Sequence, residues 1–544
     1  MPRPGSPHAP LDVVVIGGGH NGLVAAGLLA KQGQQVTVLE RREVVGGAAI
    51  TEQPWGPDFK VTALSYVVSL MPPVIRRELQ LDRHGYRIHP QGPYFAPRAD
   101  GPALHLADDP AERRRQIAQF SAKDADAYAA WKQWLGRLAD LLSPLLIETP
   151  PHLGSHHPAD LVAQARLGWR ARRWNERDVA EITRLFTMSI ADLVEERFES
   201  DAMRGVLSVS GVIGTWAGPR SAGTAYVMAH HQVGDLGDGA LGAWGFPEGG
   251  MGAVTAALRS AAESFGARVR TGVEVARILV RDGAAHGVVT AAGEEIHADV
   301  VIAATHPRIT FLGQLDPADL PADFVDDIRR WKSRSGVVKV NLALDRLPEF
   351  SARPGFDPSV HGGTIVLAPS LDHVEGAFQD AVAGRPAAAP FADVCIPSVF
   401  DRTLAPEGKH VMSMFTQWVP AAWADAPHRA ELDAYADRVI AQMEAVAPGF
   451  TDSILHRQVI GPYDMEHTYG LIGGNIFHGE LSPSQLFHLR PAPGYADYRT
   501  PIRNLYQASS ATHGGGGVTG IPGMKVVEQI DRDRRLRRWP RTQR

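Results

Sequence analysis

Residues 12–16, Asp-Val-Val-Val-Ile, form a short apolar run rich in β-branched side chains, which predicts a buried strand. Small apolar residues from 20 to 33 predict a helix closed by Gly33, a residue suited to a helix C-terminal cap. Residues 36–39, Val-Thr-Val-Leu, predict a second strand. Strand, helix and strand fit within about 30 residues, the size of a βαβ unit. The pattern then changes. Trp131, Trp134, Leu135, Leu138, Leu141, Leu142 and Leu145 recur at helical spacing and predict an amphipathic helix whose stripe is read as core. A second helical pattern runs through Ile182, Leu185, Phe186, Ile190 and Leu193, and a loop rich in proline and histidine, 150–158, separates the two. Strand patterns return after Gly249, at 269–271, 273–280, 287–289, 300–303 and 336–344. A last strand, 504–508, leads into a glycine run and a final helix to about residue 536.

Composition narrows the class. At 44% hydrophobic and 21% charged residues, the chain is globular. A net charge of −5 argues against nucleic acid as a partner. A single cysteine, Cys395, excludes an internal disulfide and a Cys-x-x-Cys redox pair, and is read as a small buried hydrophobe. Residues 1–10 are proline-rich without an apolar signal core, and no apolar run is long enough to span a membrane. The expected location is therefore cytoplasmic. The seven arginines against two aspartates at 531–544 read as a solvated end, with peripheral contact at an anionic membrane surface as the lesser reading.

The chemistry begins where the first strand ends. Gly17-Gly18-Gly19-His20-Asn21-Gly22 is a G-x-G-x-x-G: Gly17 for the tight turn, Gly19 for close approach to a pyrophosphate, Gly22 for close helix packing. The phosphates would sit on the helix N-terminus, where free N–H groups attract negative charge. Gly237-Asp238-Gly239-Ala240-Leu241-Gly242 matches the same pattern, but it follows no apolar strand and opens no helix, so it reads as a plain loop. The first match also has Glu40 at the end of the second strand, placed to accept from ribose hydroxyls. This geometry suits NAD or FAD alike. No H-E-x-x-H, cysteine ligand set or G-x-S-x-G elbow is present. His152, His156 and His157 fall in the proline-rich loop and read as solvated, so no metal is expected.

Glu40-Arg41-Arg42-Glu43-Val44-Val45-Gly46-Gly47 resembles the extended FAD fingerprint, in which Gly46 and Gly47 pass close to the cofactor. Together with Tyr66 to Leu70, Pro247 to Gly252, Gly474 to Leu481, Arg490-Pro491, Ala496 to Ile502 and the run Gly514 to Gly517, it makes the chain similar to the phytoene-desaturase-like FAD oxidoreductases. The resemblance is strongest to the branch called pyridine nucleotide-disulphide oxidoreductase domain-containing protein 2. It implies FAD as cofactor. It also implies an α/β fold: a discontinuous Rossmann-type FAD-binding domain from 1–75, 240–310 and 491–544, and an inserted α+β substrate domain from 76–239 and 311–490 with a helical insertion. Gly17, Gly19, His20, Asn21 and Gly22 match the pyrophosphate loop, Glu40 the ribose acid with Arg41 beside it, and Val275 the strand position that meets adenine. Gly516, Gly517 and Val518 match the flavin-facing turn. Gly514, where the family usually has proline, and Ser509, where it often has glycine, depart from the pattern near the expected flavin ring.

His513, His478 and Glu480 are the candidate acid–base residues. The expected activity is desaturase- or oxidase-type transfer of hydride from an apolar or amphipathic small molecule to flavin N5, with oxygen or a quinone as acceptor. A flavin-dependent ketolase or amine oxidase, a reduced-flavin isomerase and an FAD-binding regulator with little turnover remain as alternatives.

Overall fold

The computed structural model describes residues 10–156, 158–237 and 242–536. The first apolar run becomes the strand Asp12–Ile16, the centre of a five-stranded parallel sheet. Its neighbours are Gln35–Leu39 and Val300–Ala303, with Arg268–Arg270 and Leu505–Gln507 at the edges. Val14 lies opposite Thr37 on one side and Val301 on the other. Alternate side chains go to opposite faces. Val13, Val15, Val38 and Ile302 pack under the helices His20–Lys31 and Ile521–Leu536. Val14, Ile16, Val301 and Ala303 pack against Val275, Ile278 and Val288 of an antiparallel three-stranded sheet. Burial on both faces explains why these strands read as unbroken apolar runs. The strands of this sheet come from three well-separated stretches of chain.

A second, seven-stranded sheet runs in the order Ile454–Ile460, Val337–Leu344, His410–Gln417, Phe391–Cys395, Thr364–Leu367, Tyr94–Ala96, Leu104–His105. Val338, Val340, Leu342 and Leu344 face the largest core, which includes Trp131, Trp134, Leu138 and Leu142 of the helix Ala122–Ile147. Five residues of the tryptophan and leucine stripe, Leu135 among them, are thus core, whereas Leu141 and Leu145 are only half-buried. Ser121 caps that helix by accepting from the Asp124 amide at 3.1 Å. On the opposite sheet face Val337, Phe415 and Ile460 pack with Ile50, Ala63 and Leu64.

The pattern read as one helix through Ile182 and Leu193 is two, Glu176–Thr187 and Ile190–Glu195. Ser189 breaks it: its hydroxyl accepts from the Asp192 amide, and Asp192 returns a carboxylate to the Ser189 amide, a capping box that starts a new helix. His152 is not a solvated loop residue, because its ring meets the Asp497 carboxylate at 2.8 Å. His157, residues 238–241 of the second glycine pattern and the arginine tail beyond 536 lie outside the described residues. Among the described residues no helix is long and apolar enough to cross a membrane.

Candidate active site

A cavity of about 560 Å³ runs from the glycine loop of the first sheet to the inner face of the second. At its first end the chain turns out of Asp12–Ile16 through Gly17, whose φ of +99° is in the region that favours glycine. Gly19 precedes the helix as its N-cap, and a side chain built there would meet nothing within 4 Å: the space above it is open. A Cβ on Gly22 would stand 2.1 Å from the Gly17 carbonyl oxygen, so only glycine lets the helix press against its own loop. Gly46, with φ +128°, forms a β-bridge with Gly19 and donates its N–H to the Gly18 carbonyl at 2.9 Å, and Gly47 lies over Gly19. Glu40 accepts from the Gly18 amide at 2.8 Å and the Arg42 amide at 2.9 Å, which fixes its carboxylate on the cavity wall. Arg41 also lines the cavity and donates to the carbonyls of His467 and Thr468, tying this end to the helix Pro462–Tyr469. Val275 lines the same end, and its carbonyl accepts from Gln314.

These residues fit a dinucleotide. His20 Nε2 and Asn21 Oδ1 are buried polar atoms without a protein partner among the described residues, and both residues face the cavity at the helix start. Burial pushes the His20 imidazole down to about 4, so it stands there as a neutral ring. Gln314, not singled out by the sequence, adds a third such atom, Oε1, near Val275. Gly517 and Val518 line the cavity beside Asn21; Gly516 does not, and its carbonyl meets the His230 ring at 2.8 Å.

The three acid–base candidates separate. His478 lines the cavity, its Nδ1 3.4 Å from Ser509 Oγ and its ring 5.7 Å from that of His306. Burial lowers it to about 3, so it is neutral at physiological pH. His513 does not reach the cavity: its Nε2 is 3.0 Å from the Leu145 carbonyl oxygen, which ties the glycine run to the end of the long helix. Glu480 does not reach it either. It is buried in an ion pair with Arg334, at 2.7 and 3.1 Å, that fastens its loop to the chain before Val337–Leu344. Arg490, fully buried, donates to the carbonyls of Phe477, Gln485, Ser510 and Thr512 and so clamps two cavity-lining segments together.

The far wall holds chemistry that the sequence reading missed. Lys339 lies opposite Phe415, which lies opposite Asp393, so Lys339 and Asp393 share one buried sheet face. The Lys339 ammonium bonds to Ser413 and sits 4.1 Å from the centre of the Tyr66 ring. The Tyr66 hydroxyl donates to Asp393 Oδ1 at 3.1 Å. Burial drives Lys339 down to about 7 and Asp393 up to about 6. The sequence did carry a signal: Lys339 and Asn341 alternate with Val338 and Val340, and Asp393 interrupts Phe391–Cys395, so each strand places polar residues on one face of an otherwise apolar run.

A glycine-loop cradle that opens onto a chamber with a buried polar wall defines a dinucleotide-dependent oxidoreductase. The chain belongs to the family described as Flavin containing amine oxidoreductase, which it matches over residues 126–523, so the dinucleotide is FAD. Residues 15–75 also match the NAD(P)-binding Rossmann-like domain. Pyridine nucleotide-disulfide oxidoreductase domain-containing protein 2 of Rattus norvegicus is 39% identical over 96% of this chain and 93% of its own length. Phytoene dehydrogenase of Streptomyces griseus is 28% identical over 98% and 97%. Among solved structures, cyclohexylamine oxidase from Brevibacterium oxydans superposes with a TM-score of 0.56 over 97% of this chain and 100% of that one; at 18% identity this likeness speaks to the fold. The phytoene-desaturase-like resemblance read from the sequence therefore holds.

Proposed function

We propose that this protein oxidises an amphipathic small molecule by a desaturase- or oxidase-type reaction, with the cofactor across the first sheet and the substrate against the second. One observation carries this reading: a single cavity joins the glycine loop at Gly17 and Gly19 to the polar wall at Lys339 and Asp393. Gly17, Gly19, Asn21 and Gly22 would hold the pyrophosphate on the helix N-terminus, and Glu40 and Val275 would hold the adenosine. Gly517 and Val518, which line the cavity, would face the flavin. When bound, FAD supplies a hydride acceptor at flavin N5.

The protein's own part is positioning and the exclusion of water. The chamber is walled by Leu64, Ile213, Phe415 and Ile476, which keep a C–H bond dry and aligned. His478, neutral through burial, positions the loop rather than carrying a charge. Lys339, held down to about 7, is able to take up a proton released during substrate oxidation. Oxygen or a quinone takes the electrons onward, in keeping with a chain that has one context-valid dinucleotide fingerprint and one cysteine.

Anaerobic titration of the holoenzyme with a broad panel of lipophiles, alcohols and amines tests this. At least one class should bleach the visible flavin band, and the colour should return with oxygen or a quinone. A panel that never changes the oxidised spectrum would remove the enzymatic reading.

A further inference from the structure

Hydride removal from a dry C–H bond does not itself need a hydrogen-bonding wall. Yet the sheet end of the chamber is lined by Tyr66, Gln91, Lys339, Thr364 and Asp393, and three of these are nearly inaccessible: Lys339 at 1%, Thr364 at 4% and Asp393 at 5% exposure. Buried polar groups are normally satisfied. Here two keep capacity in reserve. The Lys339 ammonium has three donors, one of which goes to Ser413. The Asp393 carboxylate can accept several bonds, and among the described residues the Tyr66 hydroxyl is its one hydrogen-bond donor. The two amide donors of Gln91 are already directed to Thr364 and Cys395. A spare donor and a spare acceptor thus face the same chamber, on strands joined through His410–Gln417.

Charge selects the ligand further. Lys339 and Asp393 are opposite in sign, so their wall carries no net charge when both are ionised. A ligand with its own charge would bring a third buried charge with no counter-ion. An ammonium would also face Lys339, and a carboxylate would face Asp393. A bare hydrocarbon would strip water from both groups and return nothing. A neutral group that both donates and accepts meets each requirement.

We propose that this wall is a head-group site for a neutral lipophile bearing a hydroxyl, which donates to Asp393 and accepts from Lys339. The proposal rests on the reading of the chamber as the substrate site. It narrows the substrate class to hydroxylated apolar molecules and sets amines and pure hydrocarbons outside it.

Binding to oxidised holoenzyme, read from perturbation of the flavin spectrum under anaerobic, neutral conditions, tests this without turnover. The probes are cyclohexanol, cyclohexylamine and methylcyclohexane, which share one ring and differ in the head. Cyclohexanol should bind at least about tenfold more tightly than either of the others, roughly 1.4 kcal/mol. A single Lys339 or Asp393 variant leaves the other charge buried alone and risks misfolding. The double variant Lys339→Met with Asp393→Val avoids this; it should keep its FAD and bring the three probes within about twofold. Equal or tighter binding of cyclohexylamine or methylcyclohexane, no response to cyclohexanol, or a preference that survives in the double variant would overturn the proposal. Selective cyclohexanol binding with no compound ever bleaching the flavin would instead sink the proposed reaction and leave the head-group site standing.

Discussion

Replacing Gly22 with alanine tests the cofactor cradle at its tightest point. The added Cβ would stand 2.1 Å from the Gly17 carbonyl oxygen and 3.2 Å from Ala304 Cβ. Comfortable contacts between heavy atoms lie near 3.5–4 Å, so the helix start or the loop must move by about 1 Å. Neither neighbour is a flexible side-chain end: one is main chain, the other a short methyl beside the strand Val300–Ala303. Overpacking of this kind costs about 1–3 kcal/mol. The displacement falls on the helix N-terminus at Gly19 and His20, where the pyrophosphate would dock, so the cost should appear as lost affinity. Converted at 1.4 kcal/mol per decade, FAD should bind about fivefold to 150-fold more weakly. The assay is a fluorescence titration of apoprotein with FAD, with thermal unfolding to show that the variant is folded. Gly136→Ala is the control. It lies within Ala122–Ile147, where an added Cβ meets nothing within 4 Å, and it should leave FAD affinity unchanged while stabilising the helix by about 0.5–1 kcal/mol. A folded Gly22→Ala protein with wild-type affinity, or an equal loss in Gly136→Ala, would refute the reasoning.

Three further outcomes follow from the geometry. Glu480→Gln and His513→Gln should leave the flavin spectrum of the holoenzyme unchanged, since neither residue lines the cavity, whereas Arg334→Met should lower stability in denaturant by about 1–3 kcal/mol because it leaves the Glu480 carboxylate buried without its main donors; a spectral change in either glutamine variant would contradict this. Ser189→Ala should cost about 1 kcal/mol in denaturant unfolding through loss of the cap between Glu176–Thr187 and Ile190–Glu195, with FAD affinity intact. The third concerns pH. Lys339 is held down to about 7, while the unfolded chain keeps that proton to about pH 10. Between these values the unfolded state binds more protons, so stability from this group rises with pH. The unfolding free energy of wild type relative to Lys339→Met should therefore climb from about pH 7 to pH 10 and stay flat below; no slope in that window would contradict the burial of a titrating amine.

What the sequence made legible is what depends on near neighbours. The βαβ unit could be read because strand, glycine loop, helix and Glu40 are consecutive and each obeys its own short-range pattern. The strands Val300–Ala303 and Val337–Leu344 were also legible, as apolar runs. The polar wall of the cavity was not, because its residues meet only through sheet topology: Tyr66 and Asp393 are 327 positions apart. The misplacement of His513 has the same cause. Adjacency to the glycine run suggested the flavin, but its ring direction is set by the Leu145 carbonyl, 368 positions away. The break at Ser189 shows a local signal outvoted by a longer one: the apolar spacing from Ile182 to Leu193 continued across a serine and an aspartate that specify a helix start.

The most direct test of the account is a crystal structure of the protein with FAD bound. The adenosine should lie against Glu40 and Val275, the pyrophosphate over Gly19 at the start of His20–Lys31, and the flavin ring beside Gly517 and Val518, with one face open to the chamber that ends at Lys339 and Asp393. A dinucleotide bound elsewhere, or a flavin ring with no open path to Lys339 and Asp393, would contradict the single joined cavity on which the proposed function rests.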